Sequence, residues 1–209
     1  MKSVSIATSI GLAGALAWMG IWASAQQAPV AQAPAAQAAT QATTYKVDAV
    51  HSSVVFRVQH NEVSYFYGVF KDISGTVALN EKEPAKSSVD LTIKVDSVDT
   101  RNDRRDNHLK SPDFFNAGQF PTITFQSKEI KKLDGHNWQV TGDLTLHGVT
   151  KSMTVKFTTT GEKPDNRGTK RAGGETTFTI NRSDFGMSFM IPAVGDEVTL
   201  TVSIEATAS

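Results

Sequence analysis

Residues 89–96 read VDLTIKVD. Val89, Leu91, Ile93 and Val95 take every second position, and Asp90, Thr92, Lys94 and Asp96 fill the gaps. Successive side chains of a β-strand point to opposite faces, so this stretch predicts a strand with one apolar face and one hydrated face. The same period recurs on both sides. Upstream, Val54, Phe56 and Val58 alternate with Val55, Arg57 and Gln59, and Ile73, Val77 and Leu79 keep one parity. Downstream come Ile123 and Phe125, then Val140, Leu144 and Leu146, then Met153, Val155 and Phe157, then Phe178 and Ile180. Val198, Leu200, Val202 and Ile204 close the series. Eight antiparallel strands with single apolar faces can stack as a sandwich or close as a barrel, and periodicity does not choose between them. An eight-stranded barrel has room inside for side chains or one slender ligand. Strands of about eight residues predict a tunnel roughly 26 Å long.

One helical interruption is predicted. Thr100 caps a helix over residues 101–110, and Ser111-Pro112-Asp113 restarts a further turn. Residues 81–86 and 133–136, His147-Gly148 and the longer segment 161–174 read as connections. Gly168-Thr169-Lys170 lies seven residues after Gly161, too far for a phosphate loop, and reads as a solvated hairpin turn. No G-x-S-x-G elbow is present. His51, His60 and His108, with Asp103 or Asp106, have no spacing that makes a metal site, so none is predicted. Asn181-Arg182-Ser183 matches a glycosylation acceptor and is given no weight beside a bacterial-looking export signal.

The first 25 residues have the order of a secretory signal peptide. Lys2 is followed by an uncharged apolar run from Val4 to Trp22 and then by Ala23-Ser24-Ala25, with small residues where a signal peptidase reads. Cleavage before Gln26 and a periplasmic location are expected. Residues 26–44, QQAPVAQAPAAQAATQATT, carry no charge and no aromatic residue, and read as a disordered Ala/Gln/Pro-rich linker. The folded domain is then 45–209. Without residues 1–25 the chain has 20 Lys+Arg against 21 Asp+Glu, which argues against a phosphate-driven nucleic-acid binder. The absence of cysteine removes disulfides, thiolate nucleophiles and cysteine metal sites together.

Several segments carry a resemblance. They are HSSVVFRVQH at 51–60, YGVF at 67–70, DTRNDRRDNHLKSPDFF at 99–115, FPTITF at 120–125, GDLTLHGVT at 142–150 and KRAG at 170–173. In this order and spacing the chain resembles the YceI-like, polyisoprenoid-binding family over nearly all of 45–209. The resemblance implies an all-β fold, an eight-stranded antiparallel lipocalin-like barrel with a short helical insertion. It also implies a periplasmic location and an isoprenoid lipid or similar amphiphile threaded through the barrel.

Candidate ligand contacts follow from the apolar parity and from the polar cluster at 101–108. The expected lining is Phe56, Val58, Ile73, Val77, Leu91, Ile93, Phe125, Leu144, Phe157 and Leu200. His60, Arg101, Arg105 and His108 are the expected polar contacts. On a helix Arg101, Arg105 and His108 share a face, and such a cationic rim suits a phosphate or a quinone oxygen. The same cluster also reads as Asp and Arg side chains pinning the loop to the barrel. Tyr65, Phe66, Tyr67, Phe114 and Phe115 fall in expected loops, where they gate a pocket, touch a membrane surface or plug the barrel end as core. The expected function is carriage of a polyprenyl phosphate or an isoprenoid quinone by burial, with no cofactor, no metal and no catalysis. The rivals are an enzyme acting on a lipid headgroup through His108, Asp103 or His60, and an accessory to a quinone-handling membrane redox complex.

Overall fold

A computed structural model describes residues 42–209. The expected signal peptide and residues 26–41 of the expected linker lie outside the described residues. The strands are β1 (Thr44–Val47), β2 (Ser53–His60), β3 (Ser64–Phe70), β4 (Ile73–Ala78), β5 (Ser88–Lys94), β6 (Val98–Asp99), β7 (Thr122–Lys132), β8 (Asn137–Leu146), β9 (Val149–Pro164), β10 (Lys170–Asn181) and β11 (Val194–Ala208), with one helix, α1 (Asp103–Lys110). These eleven segments make eight wall strands, because three walls are bent. β1 continues into β2, β3 into β4 and β5 into β6. Both halves of each bent strand pair with the same neighbour: β1 and β2 with β11, β2 with β3 and β1 with β4, β4 with β5 and β3 with β6. Every other strand pairs antiparallel with the next in sequence, from β5–β7 through to β10–β11. The ring closes where β11 meets β1 and β2, with Tyr45 opposite Ala208 and Phe56 opposite Leu200. The protein is therefore a closed up-and-down antiparallel barrel of eight strands, and the sandwich alternative falls away. Closure leaves no free sheet edge around the ring.

The alternation predicts which face is inside. In β8 every second residue is buried, including Trp138, Val140, Leu144 and Leu146. Register shifts between Ser127 and Glu129 and between Gly173 and Gly174 mark bulges. Bulges bend strands and help a sheet close.

Four local expectations are corrected. Residues 161–174 are mostly strand: β9 runs to Pro164, β10 starts at Lys170, and the turn occupies only 165–169. Residues 160–164 are exposed, so this hairpin lacks the apolar alternation by which a strand is recognised. α1 starts at Asp103, capped by Asn102, whose side chain accepts from the Arg105 backbone N–H at 3.0 Å. Thr100 is buried instead, and its hydroxyl donates to Asp106. After α1, Ser111–Phe115 forms turns rather than more helix. Tyr65, Phe66 and Tyr67 lie in β3, not in a loop.

One end of the barrel carries the β2–β3 hairpin, α1 with its following turns, the turn at His147-Gly148 and the segment 182–193. The other end carries the turns at 79–87, 133–136 and 165–169. There the inward side chains of Tyr45, Ile130 and Trp138 are 6%, 4% and 1% exposed and fill the interior.

Candidate functional site

Above that filled end lies a cavity of about 160 Å³. Its wall is built from the inward parity of nearly every strand. On β11, Val198, Leu200, Val202 and Ile204 all line it, a run of six residue steps and so roughly 20 Å of depth. Leu109, Phe114, Phe115 and Met187 close over it at the α1 end. Only Thr124, Thr176 and Arg182 among the lining residues are not hydrophobic. The Thr176 hydroxyl is buried without a hydrogen-bond partner.

Three phenylalanines owe their place in this wall to glycines on neighbouring strands. A Cβ on Gly68 would come within 2.2 Å of the Phe56 ring, one on Gly142 within 2.6 Å of Phe125, and one on Gly174 within 2.3 Å of Phe157. Each ring covers backbone that has no side chain of its own, and so lies along the wall rather than across the cavity. From Phe56 the rings continue to Phe70 at 5.7 Å and to Phe115 at 5.5 Å, which joins the wall to the lid.

Nine of the ten expected lining residues face the cavity: Phe56, Val58, Val77, Leu91, Ile93, Phe125, Leu144, Phe157 and Leu200. Ile73 does not. It is 0% exposed and packed within the core. The four expected polar contacts are absent from the cavity wall. His60 is exposed at the end of β2. Arg101 precedes α1 in a left-handed conformation, with φ of 62°, so it shares no helix face with Arg105. Arg105 donates from Nε to the Thr100 hydroxyl at 2.8 Å and from Nη2 to the Thr100 carbonyl at 2.7 Å, and its guanidinium lies 4.2 Å from the Phe66 ring centre. His108 Nε2 sits 2.9 Å from Asp113 Oδ2, with its ring edge-on to Phe114 and Phe189. The cluster pins α1 to the barrel, although through Thr100 rather than by Arg–Asp pairing. Phe114 is buried and lines the cavity with Phe115, so both plug the barrel end.

The charged group that does line the cavity is Arg182, which is 5% exposed. Its Nε donates to the Gly195 carbonyl at 2.9 Å, Nη1 to Met187 at 2.6 Å, and Nη2 to Phe189 at 2.9 Å and Val194 at 2.7 Å. Burial lowers its pKa, against the pull of Asp196. The Asp196 carboxylate accepts from the Ser183 N–H at 2.8 Å and the Ser183 hydroxyl at 2.7 Å. Sequence reading passes over Arg182 because the strand period stops there and nothing marks a charge as turned inward. Phe70, Val140, Val155, Phe178 and Val202, by contrast, are lining residues that strand parity locates.

On the outer wall, Asp48, His51 and Glu205 form the one cluster of three metal-capable groups among the described residues. Arg171 Nη1 already lies between the two carboxylates, 3.1 Å from Asp48 and 2.6 Å from Glu205. Hydrogen bonding from His51, aided by Val50 N–H and Arg171, holds the Asp48 carboxyl down at about 2. His51, His60 and His108 are not brought together.

Known proteins share this architecture. The chain is 43% identical over 166 residues to protein YceI of Escherichia coli, covering 78% of this chain and 86% of that one. The crystal structure of BcnA from Burkholderia cenocepacia superposes with a TM-score of 0.70 at 27% identity, over 77% of this chain and 99% of that one. A polyisoprenoid binding domain from Saccharophagus degradans has the same fold, with a TM-score of 0.64 at 16% identity over 80% of this chain and 99% of that one. The YceI-like domain family matches residues 45–206, from the first wall strand into the last, and the chain belongs to that family.

Proposed function

We propose that the protein binds and carries a long-chain isoprenoid lipid, a polyprenyl phosphate or an isoprenoid quinone, in the barrel cavity. The observation that carries this reading is the cavity wall: deep, narrow and hydrophobic but for Thr124, Thr176 and Arg182. Burying apolar surface yields roughly 0.8 kcal/mol per carbon, or about 4 kcal/mol for a five-carbon isoprene unit, so a chain of a few units binds without strong polar contacts. Among the described residues the lining holds no histidine, carboxylate, serine or cysteine that would serve as base or nucleophile, which favours carriage over catalysis. The polyisoprenoid-binding description of the Saccharophagus relative supports the same ligand class. The signal-peptide pattern of residues 1–25 supports work in the periplasm. Val63, Phe189, Met190 and Ile191 are 86%, 42%, 45% and 40% exposed at the mouth end, which supports a transient membrane contact during loading.

The test is mass spectrometry of lipid extracted from protein purified without detergent. An isoprenoid species in stoichiometric amount is expected. An extract without isoprenoid, together with no saturable uptake of geranylgeraniol by the emptied protein, overturns the proposal.

A further inference from the structure

We propose that the isoprenoid chain enters and leaves the barrel sideways, through the mouth half of the seam between β9 and β10, rather than past α1. The inference rests on the carrier reading and adds the route. Every strand of the ring has a partner on both sides, but the β9–β10 pairing covers only part of its length. It runs from Lys170 opposite Pro164 to Glu175 opposite Thr158, and there the ladder stops. Beyond that point each strand continues with its other neighbour. Residues 149–157 of β9 stay paired to β8, as far as Val149 opposite Leu146. Residues 176–181 of β10 stay paired to β11, as far as Asn181 opposite Glu197. Six residues of β10 thus face β9 without a ladder, over roughly 20 Å. The bulge between Gly173 and Gly174 sits just before this stretch, and a bulge bends and twists the strand that carries it.

The side chains agree with the backbone. Outer hydroxyls beside the seam bond away from it: Thr154 to Thr141 on β8 at 2.8 Å, and Thr177 to Thr201 at 3.0 Å and Thr179 to Thr199 at 3.4 Å on β11. Thr176, the first residue of β10 beyond the ladder, has a buried hydroxyl with no partner. On the inside, Met153, Val155 and Phe157 of β9 and Thr176, Phe178 and Ile180 of β10 all line the cavity, so parting these strands opens directly onto it. Two contacts cross the top of the seam. Lys151 Nζ lies 3.1 Å from Asp184 Oδ1, and His147 Nδ1 lies 3.0 Å from the Phe185 carbonyl oxygen.

The two ends of the barrel are harder to open. Tyr45, Ile130 and Trp138 fill one of them. At the other, α1 is tied down by the buried Thr100–Asp106 bonds and by Arg105, and Arg182 clamps segment 187–195 through four carbonyls. Breaking those bonds strands buried polar groups, which is costly. Parting β9 from β10 beyond Glu175 breaks no ladder pair, and the ion pair at its top is partly exposed, a kind that contributes little. The seam also ends beside segment 182–193, whose Phe189, Met190 and Ile191 are exposed, so a chain leaving it meets an apolar surface.

The experiment staples the seam. The chain has no cysteine, so an introduced pair reacts alone. Thr154→Cys/Thr179→Cys sets thiols on the two sides of the seam, to be joined by a short methanethiosulfonate cross-linker that a reductant removes. Thr177→Cys/Thr201→Cys, joined in the same way, is the control across the laddered β10–β11 seam. Stopped-flow fluorescence follows release of a fluorescent polyprenyl probe into excess geranylgeraniol. The seam staple should slow release about tenfold or more. Equilibrium affinity should change less than about threefold, and reductant should restore the rate. The control staple should alter neither. Release at the wild-type rate from the stapled protein, or equal slowing by the control, overturns the route and leaves the carrier reading standing. A second measurement needs no variant. In the emptied wild-type protein, amides of 149–157 and 176–181 that face the seam should exchange hydrogen faster than those of the same strands that face β8 and β11. Equal protection of the two sets shows a zipped seam and overturns the route. No saturable binding of the probe by the wild-type protein sinks the route and the carrier reading together.

Discussion

Replacing Leu91 by tryptophan tests whether ligand binding follows the depth of the cavity. Leu91 sits in a row across the wall, opposite Phe125 on β7, which is itself opposite Leu144 on β8. All three line the cavity, with Ile93 and Ile123 on the mouth side of the row and Val77, Val89 and Val140 beyond it. An indole at this level fills the passage and cuts off the deeper part. A long chain then loses the burial of at least one isoprene unit, roughly 4 kcal/mol at about 0.8 kcal/mol per carbon. At 1.4 kcal/mol per factor of ten, with part of the burial recovered above the block, affinity should fall by about two to three powers of ten. A short chain that ends above Leu91 should lose less than about fivefold. Overpacking costs about 1–3 kcal/mol, which a domain stable by about 5–15 kcal/mol survives, and circular dichroism checks the fold before binding is read. The assay is displacement of a fluorescent polyprenyl probe by isoprenoid alcohols of increasing length. Wild-type affinity should climb with chain length until the cavity is full. The variant's affinity should level off earlier. A folded variant that weakens short and long chains equally, or neither, would refute the reasoning.

Other perturbations have equally definite outcomes. Gly174→Ala places a methyl 2.3 Å from the Phe157 ring and 2.8 Å from the Thr158 carbonyl, so it should cost about 1–3 kcal/mol and push the ring into the cavity, seen as a lower melting temperature and less bound lipid. Asp106→Ala strips the buried Thr100 of its acceptor and loosens α1. It should cost about 2 kcal/mol, or about 4–8 °C in the melting temperature, while Asp106→Asn should keep most of that stability; equal losses would contradict the role given to Thr100. Asp48 has its pKa lowered from 3.8 to about 2 in the folded protein, chiefly by His51. Its stabilisation is therefore complete above the unfolded value and disappears as pH falls from near 4 through about 2. Asp48→Asn should flatten acid destabilisation in that window, and an unchanged pH–stability curve would show the shift to be absent.

How much of this was legible in the sequence follows from where the interior imposes a pattern. Residues 89–93 face the cavity on one side and water on the other, so the alternation is written in them, and nine of ten expected lining residues face the cavity. Ile73 has the right parity but lies packed in the core, and parity carries no information about depth. The end of β9 from Thr160 to Pro164 was illegible because it is exposed and has no apolar residues to alternate. Thr100 has the chemistry of a helix cap, yet a buried carboxylate two turns of sequence later, Asp106, claims its hydroxyl and Asn102 caps instead. Arg182 was invisible for a further reason. Its role depends on four carbonyls between Met187 and Gly195, and carbonyls are the same in every sequence.

The up-and-down connectivity also sets the order in which the molecule can assemble. Seven of the eight wall pairings join neighbours in sequence and form as soon as each hairpin is present. The eighth joins the two extremes of the domain, with Ser209 donating its backbone N–H to the Thr44 carbonyl at 3.1 Å. Bringing such distant segments together carries the largest loop-closure cost of any strand pairing among the described residues. Until β11 arrives, β10 and β2 remain open sheet margins and the apolar lining faces solvent. The last fifteen-residue strand is thus a latch. A chain delivered amino end first stays sticky along two seams until its final segment snaps into place, and a carboxy-terminal truncation removes the catch along with the residues.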